Sequence, residues 1–215
     1  MIVGKKMAKG VFFSLDGLDG CGKSTQMRLL AEALEKMGYS VVTCVDPGGT
    51  EIGKTLRQIL LHHKGLLGMR SEALLFMASR AQLVDEIIAP SLEQGKIVIS
   101  DRYLLANLVY QGYGGGLNLE DLRATGNLST GGVLPNLTFV LDIPVEIARK
   151  RIQRPADRME QRPDSFFEKV RQGFLTEAAL AEERMMVINA SESVEIIQGK
   201  ILSKVKELLG SGGMI

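Results

Sequence analysis

The chain has 215 residues, 26 Lys and Arg against 25 Asp and Glu, a formal net charge of +1 and 45% hydrophobic residues. That length suits a single α/β domain with a full core and leaves little for a second one. A charge so near zero provides no footprint for nucleic acid or an acidic membrane, so any anionic ligand must be small.

Two cysteines, Cys21 and Cys44, stand on separate segments without a CxxC pattern. Free thiols in a reducing, cytoplasmic compartment are expected. The opening MIVGKKMAKG is short, and the apolar run after it is interrupted by Asp16, so neither a signal peptide nor a membrane span is expected.

Val11 to Leu15 is an apolar, aromatic-containing run that reads as a buried strand, and apolar spacing at Met27, Leu30, Ala31 and Leu34 reads as a helix. Between them lies Gly17-Leu18-Asp19-Gly20-Cys21-Gly22-Lys23-Ser24-Thr25, which contains the phosphate-binding P-loop spacing G-x-x-x-x-G-K-S. Its glycines let the backbone bend until successive N–H groups and the positive end of the helix dipole converge on phosphate oxygens. Lys23 adds a mobile positive charge, and the Ser24 hydroxyl can ligate Mg²⁺. Cys21 reads as a small filler.

Val41 to Val45 is a β-branched run suited to a doubly buried parallel strand. Asp46-Pro47-Gly48-Gly49-Thr50 turns the chain at the carboxyl end of that strand, the edge where open α/β sheets bind ligands, and it serves either as a connector or as part of a site. Ile52 to Leu61 reads as a short helix and Arg70 to Gln94 as a long one. Phe76 and Arg80 stand one helical turn apart and share a face. Such a pair is either core aromatic plus surface charge, or a ring that stacks on a base beside a cation that grips phosphate. His62 and His63 read as solvated.

Ile97 to Ser100 is a third buried strand followed by Asp101-Arg102-Tyr103. A carboxylate directly after such a strand is where P-loop enzymes hold Mg²⁺ or its waters, opposite the P-loop hydroxyl. Asn107, Tyr110 and Gln111 then form a polar pocket wall leading into a flexible loop at Gly112–Gly116. Leu119 to Leu128 reads as helix, Leu137 to Asp142 as a fourth strand, and Pro144 starts another helix. From Arg149 the chain turns basic, with Arg149, Lys150, Arg151, Arg154, Arg158 and Arg162 among few apolar residues. This is either a solvated helix end or a mobile segment that neutralises charge in phosphoryl transfer, and the P-loop favours the second. Phe166 to Glu183 returns to helix, Met185 to Ile188 is a fifth strand, and Val194 to Leu209 is a closing amphipathic helix. The tail, residues 210–215, should fray. Strands alternating with helices predict a parallel sheet covered on both faces.

With these segments in order, the chain resembles the thymidylate kinase family of P-loop nucleoside-monophosphate kinases over roughly Val11 to Leu209. The motifs are DGLDGCGKSTQ, DPGGTEIGK, FMASRAQLV, ISDRY with YQGYGGGL, PNLTFVLDIP, and DRMEQ with FFEKVRQGFL. The resemblance implies one domain with a five-stranded parallel sheet and a small lid at about residues 150–164. It also implies a homodimer packed through helices, ATP as cosubstrate, Mg²⁺ bound near Ser24 and Asp101, and dTDP as product.

Carried over residue by residue, it makes Asp19 the acid near the acceptor phosphate and sugar. Phe76 resembles the ring that stacks on thymine, Arg80 the arginine that reads the base and supports the acceptor phosphate, and Arg102 a further phosphate clamp. Asn107, Tyr110 and Gln111 match positions lining the nucleoside pocket, with Tyr110 near the sugar C2′. Some relatives carry a basic residue in the P-loop after the acid. Here Gly20 follows Asp19, which resembles the bacterial pattern and sends the catalytic cations to the lid, with Arg154 and Arg158 ahead of Arg151. The chain departs from relatives at Val45 and Asp46, where Arg-Glu is usual, at Gly115, which replaces an arginine, and in a lid about two residues shorter.

The activity implied is in-line transfer of the γ-phosphoryl group of ATP to dTMP by Lys23, Asp19, Arg102, Arg154 and Arg158 acting through alignment and charge. A kinase for another nucleotide would keep the P-loop and lid with a different acceptor pocket. A nucleotide-dependent assembly module would need no second nucleotide pocket at all.

Overall fold

The computed structural model describes residues 10–211; the expected leader-free N-terminus and the last four residues of the expected frayed tail lie outside the described residues. Five strands form one parallel sheet: β1 (Val11–Gly17), β2 (Val41–Val45), β3 (Ile97–Asp101), β4 (Leu137–Asp142) and β5 (Met185–Asn189), in the order β2-β3-β1-β4-β5. Helix α1 (Lys23–Lys36) follows β1, and α2 (Glu51–His62) and α3 (Met69–Leu83) follow β2. The later helices are α4 (Ala89–Glu93), α5 (Leu104–Asn107), α6 (Leu119–Thr130), α7 (Val145–Arg151), α8 (Asp164–Leu180) and α9 (Val194–Ser211).

Side chains alternate across each strand, so neighbours in sequence serve opposite faces. Phe13, Leu15 and Ile99 belong to the large core cluster with Leu30 and Leu34 of α1 and Ile201 and Val205 of α9. Phe12 and Val98 pack with Leu83, Val84, Ile88 and Tyr103. Both faces are thereby covered. The expectation for β2 is corrected: it lies at one edge, and most of its residues are only partly buried.

The helix expected over Arg70–Gln94 is interrupted by a π-helical turn at Val84–Ile88, just before Pro90, which has no N–H for the regular ladder. A second π-helical segment, Leu108–Gly114, continues α5 through the stretch expected to begin a flexible loop. Its glycines are there for close packing. A Cβ on Gly112 would lie 2.4 Å from Leu119, and one on Gly114 would lie 2.7 Å from the Phe166 ring of α8.

Register sets the site. Asp101 pairs with Leu15 of β1 on one side and Val45 of β2 on the other, so the carboxyl ends of three strands are level. The glycine loop after β1, the turn after β2 and Arg102 after β3 therefore meet at one edge of the sheet. No helix among the described residues is long and apolar enough to cross a membrane.

Candidate active site

The P-loop is held open by its glycines: φ is 84° at Gly20 and 100° at Gly22, a region that side chains rarely adopt. At Gly20 space also forbids a side chain, since a Cβ would lie 2.3 Å from the backbone oxygen of Ala148 in α7. An arginine has no room at this position. No side chain caps the N-terminus of α1 and its first turn holds no acid, which leaves its positive end to an anion.

Lys23 Nζ donates to the carbonyl oxygens of Leu18 at 2.9 Å and Gly17 at 3.3 Å and lies 3.7 Å from Asp19 Oδ1. Ser24 Oγ donates to Asp101 Oδ2 at 2.7 Å, so hydroxyl and carboxylate come together from two strand ends. These are hard oxygen donors, too few to cage a metal alone, and they suit a cation that completes its shell with phosphate and water.

A cavity of about 1240 Å³ runs over this loop, lined by Asp19, Gly20, Gly22, Lys23, Ser24, Thr25, Val45, Asp46, Arg57, Asp101, Arg102 and the segment 151–154. Gly17, Leu18 and Cys21 do not line it; Leu18 and Cys21 are buried in the core. A second cavity of about 580 Å³ adjoins it, and all seven residues expected around the acceptor line it: Asp19, Phe76, Arg80, Arg102, Asn107, Tyr110 and Gln111.

Arg102 stands where the two cavities meet. Its φ of 68° is unusual for a residue with a side chain. The conformation is held at both ends, since its N–H donates to the Leu15 carbonyl at 2.9 Å and its own carbonyl accepts from Ser100 Oγ at 2.6 Å. The guanidinium donates to Asp19 Oδ1 at 2.9 Å and Tyr110 Oη at 3.1 Å, and it lies over the Tyr110 ring. Burial opposes ionisation of Asp19, but Arg102 and Lys23 outweigh it and hold the carboxyl well below the usual carboxylate range. Burial pushes the Tyr110 phenol up to about 12, so it remains a neutral hydroxyl at the wall.

Phe76 and Arg80 share one face of α3, as their spacing required. Arg80 is buried, with Nε donating to Asp46 Oδ2 at 2.5 Å and Nη2 to the Tyr103 carbonyl at 3.3 Å. Asp46 thus supplies the acid that holds Arg80. The departure at Gly115 is a matter of space: a Cβ there would lie 2.5 Å from Met69 Sδ and 2.7 Å from the Gln111 carbonyl oxygen.

The arginines of the basic segment separate. Arg154 lines both cavities and pairs through two bonds of 2.8 Å with Glu160. Arg151 lines the first cavity. Arg158 lines neither: its Nε donates to the Leu60 carbonyl at 2.7 Å and its Nη2 to Glu72 at 2.6 Å. Two residues escaped the sequence reading. Arg57 lines both cavities and donates to the Pro47 carbonyl at 2.8 Å; its signal was a charge on the same face of α2 as the buried Gly53 and Leu60. Glu72 is the other, spaced by four residues from Phe76 and by eight from Arg80.

Comparison with known proteins agrees with this geometry. The family model described as thymidylate kinase matches residues 15–201. The chain belongs to the thymidylate kinase family. A thymidylate kinase of Kosmotoga olearia is 44% identical over 201 residues, covering 93% of this chain and 95% of that one. A thymidylate kinase of Bifidobacterium longum is 44% identical over 203 residues, covering 93% and 98%. Among solved structures, a thymidylate kinase from Ehrlichia chaffeensis superposes with a TM-score of 0.77 at 32% identity, covering 92% of this chain and 99% of that chain. Membership in the thymidylate kinase family accounts for the five-stranded parallel sheet with its covering helices.

Proposed function

We propose that this protein transfers the terminal phosphoryl group of ATP to the 5′-phosphate of dTMP, giving dTDP and ADP. The observation that carries the reading is that two adjoining cavities share Asp19, Asp46, Arg57, Arg102 and Arg154. A donor phosphate over the P-loop and an acceptor phosphate in the second cavity would both face these groups.

A phosphate monoester is already nucleophilic near neutral pH, so the residues need to align and neutralise more than to remove a proton. Lys23 and the uncapped start of α1 would hold the donor phosphates. Arg102, Arg57 and Arg154 would offset charge on the transferring group, and Asp19 keeps the Arg102 guanidinium aimed. Phe76 would stack on the base, with Arg80, Asn107 and Gln111 at its polar edge and Tyr110 beside the sugar. Ser24 and Asp101 would hold Mg²⁺, which would neutralise phosphate charge when bound. Closure of the lid at about residues 150–164 would exclude water, which otherwise consumes ATP.

The test is product formation from ATP with dTMP, dUMP, dGMP, dCMP and AMP as acceptors, alongside Lys23→Ala as control. dTMP should be the preferred acceptor and the variant should be inactive yet folded; near-normal turnover by the variant would overturn the assignment. A homodimer packed through helices belongs to the same reading, supported by the exposed Leu74 on α3 and Leu128 on α6. Sedimentation velocity should show a dimer that Leu74→Glu weakens.

A further inference from the structure

Glu72 lies on α3 with its carboxylate fully buried. Three side chains from two distant parts of the chain converge on it. Gln111 Nε2 donates to Oε1 at 2.8 Å, Arg158 Nη2 to Oε2 at 2.6 Å, and Arg162 Nη2 to both oxygens at 2.8 and 2.7 Å. Both Glu72 oxygens accept from guanidinium N–H groups, and a carboxylate oxygen has no hydrogen to donate. Gln111 must therefore turn its NH₂ toward Glu72 and its oxygen away. That oxygen accepts from Asn107 Nδ2 at 3.0 Å. Asn107 keeps its second Nδ2 hydrogen, and its Oδ1 is buried without a partner in a residue that lines the acceptor cavity.

One charge thus dictates the orientation of two amides, either of which could flip if left alone. We infer that Glu72 is a positioning residue that sets the donor and acceptor polarity of the acceptor pocket and fastens the root of the lid to it. An unpartnered acceptor oxygen just behind the pocket lining matches a pyrimidine whose ring nitrogen carries a hydrogen. It mismatches one whose ring nitrogen is a bare lone pair. The same carboxylate holds Arg158 and Arg162, so the segment bearing Arg154 is anchored to the element that reads the base. This rests on the proposed function, since it takes the occupant of the second cavity to be a pyrimidine nucleotide.

The experiment compares kcat/KM for dTMP and dCMP in the wild-type protein, Glu72→Gln, Glu72→Asp, Gln111→Leu and the double variant Glu72→Gln/Gln111→Leu. Glu72→Gln should lower the dTMP-to-dCMP ratio by about tenfold and raise KM for dTMP while KM for ATP stays within twofold. Glu72→Asp, which keeps the charge, should recover part of the ratio. The two single effects on selectivity should not add in the double variant, since they interrupt one chain of hydrogen bonds. Should Glu72→Gln not fold, a tenfold loss of selectivity in Gln111→Leu supports the relay and an unchanged ratio overturns it. A folded, active Glu72→Gln protein with unaltered selectivity overturns the role of Glu72 alone. Failure of the wild-type protein to phosphorylate dTMP would instead overturn the functional reading.

Discussion

Asp16 shows at the scale of one residue how the site strains the core. It is fully buried at the end of β1, and neither carboxylate oxygen has a hydrogen-bond partner in the structure. Burial raises its pKa from 3.8 to about 6, against the opposing pull of Arg102 and Lys23. A carboxyl with a raised pKa binds its proton more tightly in the folded state. Its contribution to stability is thus fully present below 3.8 and is lost as the pH rises through about 6. Asp16→Asn should leave stability nearly unchanged at pH 4 and stabilise the fold by about 2–3 kcal/mol at pH 7. Chemical denaturation across that range checks this, and a difference that does not change with pH would refute it. The P-loop and Asp101 were legible in the sequence because each is a local pattern beside a strand. Arg57 and Glu72 were not, because a charge on a helix is ordinarily solvated and only the distant cavity and lid give these two their partners.

At the scale of elements, the arginines of the basic segment after α7 fall into two groups. Arg154 faces both cavities, whereas Arg158 and Arg162 clasp Glu72 and anchor the segment to α3. Arg154→Ala should lower kcat by about 10²-fold, comparable to the loss of one transition-state donor, with little change in melting temperature. Arg158→Ala should instead cost about 2 kcal/mol of stability through the loss of charge-assisted hydrogen bonds to a buried carboxylate. Steady-state kinetics beside thermal melts separates the two, and a reversal of the pattern would return Arg158 to the transferring phosphate. Composition marked this stretch as basic. It did not distinguish the arginines that anchor the segment from the one that faces the cavities, because Glu72 lies 86 residues from Arg158. The π-helical segment Leu108–Gly114 was hidden for a related reason: its glycines resemble a loop signal until Leu119 and Phe166 are seen to occupy the space beside them.

Across the whole molecule, the alternation of strands and helices announced a parallel sheet, and the five strands were placed within a few residues. Strand order was less accessible, because the apolar content of β2 suits an interior strand and only its pairing with β3 alone makes it an edge. The consequence of the level strand ends reaches beyond placement. Asp19, Arg57, Arg102 and Arg154 each belong to two walls at once, so donor and acceptor should bind as coupled ligands. Whatever factor a non-hydrolysable ATP analogue imposes on the Kd of dTMP, dTMP must impose on the Kd of the analogue. Paired calorimetric titrations should find that factor different from one in the wild-type protein and closer to one in Arg154→Ala.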